Sequence, residues 1–369
     1  MGPLLYQRLR AHEFAAAAPS NIMQALREAY VDNSTRNLRL HNELRTIVTA
    51  LSTQGIPVIV LKGTYLASVV YDNIALRWMG DIDLLVRRND VARVADTLMA
   101  LGYRTPESPS MDIDAWITMR RHLPKFVKRK IARVEVHPNI TEPNSQHGID
   151  VDELWDRALP AGIAGVEVLG LSREDLLLHL CFHTSYQHQF AFGLRPFCDI
   201  DETIRYYGID IDWMRLRQRA DRWGWDRGVY LALYLAKNML CAAVPDSALR
   251  GLKPSAFDDA ILAAAKEQVF TSKPVLRTLS LSLAQVWEAN QSQDKTSHLL
   301  EGVLGRLRYK SSAIAASSVF PRSVLYHVVY LSGMIARNIK PAWRLLRGDR
   351  KLALLAKRRN TLSRWLSEK

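Results

Sequence analysis

The sequence predicts an α+β protein: N-terminal helices and a small α/β core, followed by an all-helical domain. Three observations carry this. Short apolar runs suited to buried strands fall between residues 58 and 140. A glycine turn and helical segments separate those runs. From about residue 150 the apolar residues recur at spacings of three and four, the period of one buried helix face. At 369 residues the chain is long enough for more than one core. The divisions expected are 1–54, helices packed on the core; 55–150, the core; 151–336, the helical domain; and 337–369, a basic amphipathic tail.

Residues 20–54 read as helices stopped by Gly55 and Pro57. VIVL, 58–61, reads as a buried strand, Lys62-Gly63-Thr64 as a turn, and YLASVVYDN as a helix that starts after the glycine. DIDLLV, 81–86, is the next strand, and 89–103 a helix with Asn89 as N-cap and Gly102 as stop. RVEVHPNI, 133–140, is a strand entered from the basic stretch RRHLPKFVKRK. Ser172-x-x-Asp175 caps the helix that follows. Further helices are expected over 198–207, 212–222, 226–243, 255–269, 278–289, 297–307 and 322–339.

About half the residues are apolar and about a quarter charged, which excludes a disordered or fibrous chain. Cys181, Cys198 and Cys241 have no CxxC spacing, so neither a disulfide framework nor a thiolate zinc site is expected. No apolar run suits a signal peptide or a bilayer span, and a cytoplasmic protein is expected. The net charge of +13 is uneven, because residues 337–369 hold eleven Lys/Arg against two acids. That tail reads first as a solvated surface helix. A second reading lays Trp343, Leu345, Leu346, Leu352, Leu355 and Trp365 on an anionic membrane, and a third is a nucleic-acid contact.

The chemistry concentrates in LRWMGDIDLLVRR, 76–88. Side chains alternate along a strand, so Asp81 and Asp83 share a face, about 7 Å apart at Cα. Two carboxylates at that spacing raise each other's proton affinity unless a cation intervenes. Glu135 and His137 share a face of the RVEVH strand, and Glu135 supplies a third carboxylate if the strands are neighbours. Three acids around one or two Mg²⁺ suit phosphoryl or nucleotidyl transfer. Lys62, Gly63 and Thr64, at a helix N-terminus, suit the outer phosphates of a nucleotide, and Arg77 suits a bidentate phosphate clamp. Taken alone, Asp81 and Asp83 also fit a strand end salt-bridged by Arg77, Arg87 or Arg88, and Glu135 fits an exposed residue paired with Arg133. The turn and the Glu135 strand together favour metal. His137 reads as a partner that orients a carboxylate, or as a contact to nucleotide or acceptor.

His179 and His183 stand four apart on one helix. Without a HExxH pattern they read as buried polar histidines facing the core, one of them bonded to Asp199. The basic stretch 120–133 reads either as a solvated hairpin or as a lid over triphosphate or a groove for an anionic acceptor, with Lys125 or Lys128 the residue that would reach the site.

Residues 55–103 resemble the uncharacterised bacterial nucleotidyltransferase family of the DNA polymerase β-like superfamily. The likeness rests on Leu61-Lys62-Gly63, on Arg77 with Gly80-Asp81-Ile82-Asp83, and on Glu135-Val136-His137. It continues more weakly over 176–185 and 194–225, and covers roughly 20–245. The wider superfamily has Gly-Ser or Gly-Gly where this chain has Gly63-Thr64, and the family often has tryptophan where this chain has Pro138. The resemblance implies a mixed-sheet nucleotidyltransferase core and transfer of NMP from an NTP, ATP being the expected donor, to an acceptor hydroxyl. Gly80 joins the nucleotide-binding set, and His137, His183 and Asp199 are expected at the acceptor or behind the metal ligands. A small molecule or a peptide is favoured over a tRNA end as acceptor. The alternatives are a DxD glycosyltransferase using a nucleotide sugar, and a catalytically dead binding module.

Overall fold

In the computed structural model the described residues are 1–11, 18–105, 113–129, 131–143, 145–271, 279, 281–291 and 340–368. Contacts divide the chain into two compact units. One holds Met1–Leu180, Cys198–Trp223 and Ala236–Val244; the other holds Cys181–Phe197, Gly224–Leu235 and Pro245–Lys369.

The first unit is built on a mixed six-stranded sheet. Its strands are β1 (Ile59–Leu61), β2 (Ile82–Leu85), β3 (Phe126–Lys128), β4 (Ala132–His137), β5 (Leu159–Ile163) and β6 (Val166–Gly170), in the order β3-β4-β2-β1-β6-β5. β2 lies antiparallel to β1 and parallel to β4. Every residue of β1 and β2 is buried, as a central strand covered on both faces requires. Ile82, Val134 and Phe126 share one face by register. Lys128 shares that face with Phe126, and its ammonium meets Glu43 of helix α2 (Ser20–Ser52) at 3.1 Å, which seats α2 on that side. Leu40, Leu44, Ile47, Val48 and Leu51 are the buried stripe of α2. The opposite face carries Asp83, Glu135 and His137.

Helix α4 (Val91–Ala100) ends as expected. Gly102 has φ +89°, and the Gly102 and Tyr103 N–H groups donate to Met99 and Leu98. Its expected N-cap does not form: Arg88–Asp90 make one 3₁₀ turn ahead of it, and no side chain caps α4. Strands β5 and β6 have no counterpart in the sequence reading. They are LPAGI and VEVLG, short runs holding Pro160, Gly162 and Gly170, and β5 is largely exposed, so neither shows a clean apolar pattern. The Ser172–Asp175 cap forms as expected, with the Asp175 N–H on Ser172 Oγ at 3.3 Å.

In the second unit, helix Asp259–Phe270 and helix Leu281–Gln291 pack against helix Arg350–Ser367. The expected helices 297–307 and 322–339 lie outside the described residues. The tail reading is corrected here. Leu345, Leu352 and Leu355 form a buried cluster with Leu279, Ala284 and Ala356. Trp365 is buried too, its indole N–H donating to the Ala256 carbonyl at 3.0 Å. Four of the six side chains assigned to a lipid face therefore pack inside the protein, while Trp343 and Leu346 stay exposed. Among the described residues no helix is long and apolar enough to cross a membrane.

That packing predicts a contrast. Leu355→Ala removes a 4 %-exposed side chain and should cost about 2–4 kcal/mol in urea unfolding. Leu346→Ala, 72 % exposed on the same segment, should stay within about 0.5 kcal/mol of the parent.

Candidate active site

The site begins where β1 leaves the sheet. Leu61 is extended, and Lys62 adopts φ +46°, a left-handed conformation rare for a residue with a Cβ. Helix α3 (Lys62–Tyr65) starts at once and widens into a π turn, Leu66–Val70. The helix therefore opens at the lysine, two residues earlier than expected. Gly63 serves a different need: a Cβ there would lie 2.2 Å from Arg77 Nη1. The glycine makes room for a guanidinium.

Register assembles the acids. Leu61 pairs with Asp83 across β1 and β2, and Asp83 pairs with Glu135 across β2 and β4. Asp83 is 4 % exposed and its Oδ1 accepts from Lys62 Nζ at 2.8 Å and from His137 Nε2 at 2.9 Å. An ionised carboxylate only accepts, so His137 carries its proton on Nε2. That nitrogen also lies 3.5 Å from Glu135 Oε2. Lys125 stands opposite Glu135 in the β3–β4 register and meets its Oε1 at 2.5 Å, with Asp81 Oδ2 at 4.0 Å. Of the two lysines expected as candidates, Lys125 thus joins the acids, and Lys128 turns to Glu43.

The electrostatics separate the three carboxyls. Burial lifts Asp83, but the Lys62 charge and the His137 hydrogen bond outweigh it and hold the group well below the usual carboxylate range. Burial likewise lifts Glu135, and His137, Lys125 and Lys62 together bring it down to about 2. Asp81 has no close partner of that quality. Burial, then the charges of Asp83 and Glu135, push it up to about 6 against Lys62 and Lys125. Behind the cluster, His179 is fully enclosed in helix Arg173–Phe182. Burial, then the Lys62 and His137 charges, hold it well below the ordinary imidazole range, hence neutral.

Other expected residues go elsewhere. Arg77 turns its fork onto Asp199, with Nε to Oδ1 at 3.1 Å and Nη2 to Oδ2 at 2.8 Å, while Nη1 donates to the Trp78 carbonyl. Asp199, on helix Arg195–Tyr207, also accepts from Tyr71 at 2.9 Å. Its partners are an arginine and a tyrosine, where a histidine was expected. Thr64 is 1 % exposed, with its hydroxyl 3.4 Å from the Asp81 carbonyl. Gly80 sits under the Trp78 ring, where a Cβ would lie 2.6 Å from Cη2. His183 belongs to the second unit, with its Nε2 3.0 Å from His188 Nε2.

Two outcomes follow from this geometry. In chelator, Asp81 keeps its proton in the folded state up to about pH 6, while the unfolded chain releases it near 4, so stability falls as pH rises between those values. Asp81 is about one-third exposed, so solvent screening limits the loss. Asp81→Asn should therefore raise the free energy of unfolding at pH 7 by about 1 kcal/mol and leave it unchanged below pH 4, read by urea unfolding. Asp199→Ala strands a guanidinium that is 12 % exposed, and should cost about 3–5 kcal/mol in urea unfolding.

Comparison with known proteins adds one finding. Residues 1–241 match the model of the family described as uncharacterised nucleotidyltransferase. No curated protein and no solved structure matches the chain. The matched residues span most of the chain, including the sheet, the Lys62 turn, Asp81, Asp83, Glu135 and the Arg77–Asp199 pair: the chain belongs to this uncharacterised nucleotidyltransferase family.

Proposed function

We propose that the protein is a Mg²⁺-dependent nucleotidyltransferase that moves NMP from an NTP to an acceptor hydroxyl and releases pyrophosphate. The observation that carries the reading is the in-register pairing of Asp83 with Glu135, with Asp81 leading the same strand face. The residues fit a divalent cation. Asp83, Glu135 and His137 each offer a ligand atom, all within 4.8 Å of one another. The raised proton affinity of Asp81 marks more negative charge than two lysines offset. Asp81, Asp83 and Glu135 would hold Mg²⁺ through oxygen, the donor it takes. Once bound, the ion neutralises phosphoryl charge and makes a bound hydroxyl more acidic.

The chain's own groups do the rest. Both donors to Asp83 bond Oδ1, which leaves Oδ2 for a ligand. His137 is thereby a positioning residue for Asp83. Lys62 and the first N–H groups of α3, which no side chain caps, would hold the β- and γ-phosphates. Glu135, ionised throughout the neutral range, would take the acceptor proton and pass it to solvent. The acceptor oxygen bonds to the α-phosphorus, the bond from that phosphorus to the bridging oxygen breaks, and pyrophosphate leaves with the electron pair. Family membership supports a nucleotide donor over a sugar donor.

The test is thermal unfolding with each of the four NTPs, with and without Mg²⁺. A Mg²⁺-dependent rise in midpoint is expected, worth about 2.7 kcal/mol at a hundredfold excess over Kd. It should vanish in Asp83→Asn and in Glu135→Gln, each compared with its own nucleotide-free baseline. No rise with any nucleotide overturns the reading. Once an acceptor is in hand, His137→Gln should lower turnover by about 10–100-fold, and Asp83→Asn by more.

A further inference from the structure

A cleft of about 490 Å³ lies between α2 and the β3–β4 hairpin, on the α2 side of the sheet, and meets the acids' face at Arg133. The charged described residues lining it are Arg36, Arg39, Lys128 and Arg133 against Asp32 alone, and Gly80 also lines it. Lys128 is neutralised by Glu43. Arg36, Arg39 and Arg133 are exposed, and none makes an ion pair among the described residues. Arg36 lies over the Trp78 ring, 5.6 Å from its centroid, and that ring, 41 % exposed, covers Gly80.

The cleft's position decides its use. Gly80 is bonded to Asp81, and Arg133 stands two residues before Glu135 on the same face of β4, about 7 Å away by strand rise. In the sheet order β3-β4-β2-β1, the Lys62 turn flanks the acids on the β1 side and Arg133, next in register to Asp81, flanks them on the β4 side. The proposed phosphate-holding turn and Arg133 thus sit on opposite sides of the acids, and Arg133 shares its face with Glu135, the proposed acceptor base. From this the geometry points to a binding site for the anionic part of the acceptor. Its class is a small phosphate-bearing molecule with a hydroxyl free to reach Glu135. The assignment of acceptor rests on the nucleotidyl-transfer reading; the anion site does not. Three guanidiniums with no ion pair among the described residues match phosphate in charge and bidentate geometry. The volume lies in the range of small-molecule sites.

The experiment uses the full chain in low, fixed ionic strength. Ribose 5-phosphate and inorganic phosphate are titrated calorimetrically into the parent and into the double variant Arg39→Ala/Arg133→Ala. Both altered side chains are exposed, and circular dichroism checks that the variant folds. The Mg²⁺–NTP thermal shift is recorded on each protein in parallel. Binding of ribose 5-phosphate that weakens about tenfold or more in the double variant, with the nucleotide shift retained, supports the proposal. Equal affinity in both proteins, or no binding to the parent, overturns it. Loss of the nucleotide shift in the double variant also overturns it, because the cleft would then serve the donor. A single-stranded RNA pentanucleotide that displaces the probe and binds about tenfold more tightly through the same arginines replaces the small acceptor with RNA. If the parent binds ribose 5-phosphate through the cleft but no nucleotide shifts its midpoint, the anion site stands, and the acceptor role falls with the transfer reading.

Discussion

Everything at this site depends on keeping one carboxylate charged in the middle of a sheet. Asp83 lies on a fully buried strand, where an isolated charge costs far more than the fold could offset. Two groups make it tolerable, the Lys62 ammonium and the His137 N–H, both on Oδ1. Each arrives by backbone design. Lys62 follows Leu61, the register partner of Asp83, and takes a left-handed φ. His137 is two residues beyond Glu135 on the strand that pairs with β2. Strain at Lys62 persists because the ion pair and the following helix over-determine it, a pattern that clusters at functional sites.

A second buried pair holds that turn. The Arg77 guanidinium is bonded to Asp199 through two nitrogens and lies against Gly63, so it links the Lys62 turn to helix Arg195–Tyr207. Buried ion pairs contribute little net stability compared with apolar packing, yet losing one partner is costly. Their use is geometric. A leucine at position 77 could fill the space, but it would not fix the turn against one defined point of the helix.

Much of the site was legible in the sequence because it depends on a period of two. Alternation placed Asp81 with Asp83 and Glu135 with His137, and the sheet brought the two faces together. The rest depends on pairings the period does not encode. Arg77 meets an aspartate 122 positions away, and an arginine beside a Gly-Asp-x-Asp run looks equally suited to phosphate. Lys125, just ahead of β3, and Lys128, at its end, fall on opposite faces of the sheet, and the basic stretch has no apolar alternation to show it. Strands β5 and β6 escape notice because proline and glycines interrupt them and exposure removes their apolar signal. The tail's amphipathic stripe was visible, but a stripe does not say whether lipid or protein covers it; here helices Asp259–Phe270 and Leu281–Gln291 do.

The charges suggest how the turn and the acids would work together. Asp81, Asp83 and Glu135 carry three negative charges, and Lys62 and Lys125 carry two positive ones at close range. The raised proton affinity of Asp81 is the remaining imbalance. In the proposed reaction a divalent cation would correct that imbalance and take over part of the lysines' role as counter-charge. The lysines would then have charge to spare for the next anion to arrive. Lys62 heads the turn proposed to hold the outer phosphates, and Lys125, just ahead of β3, is paired with Glu135, which shares its face with Arg133 of the arginine-lined cleft. The same two ammonium groups would therefore offset the acids' charge and, once released by a cation, meet the proposed donor on one side and the proposed acceptor on the other. Compact point charges on flexible stems suit that exchange better than arginines held in a fixed fork. This gives a physical reason for lysine next to the acids and for arginine where the geometry must stay fixed.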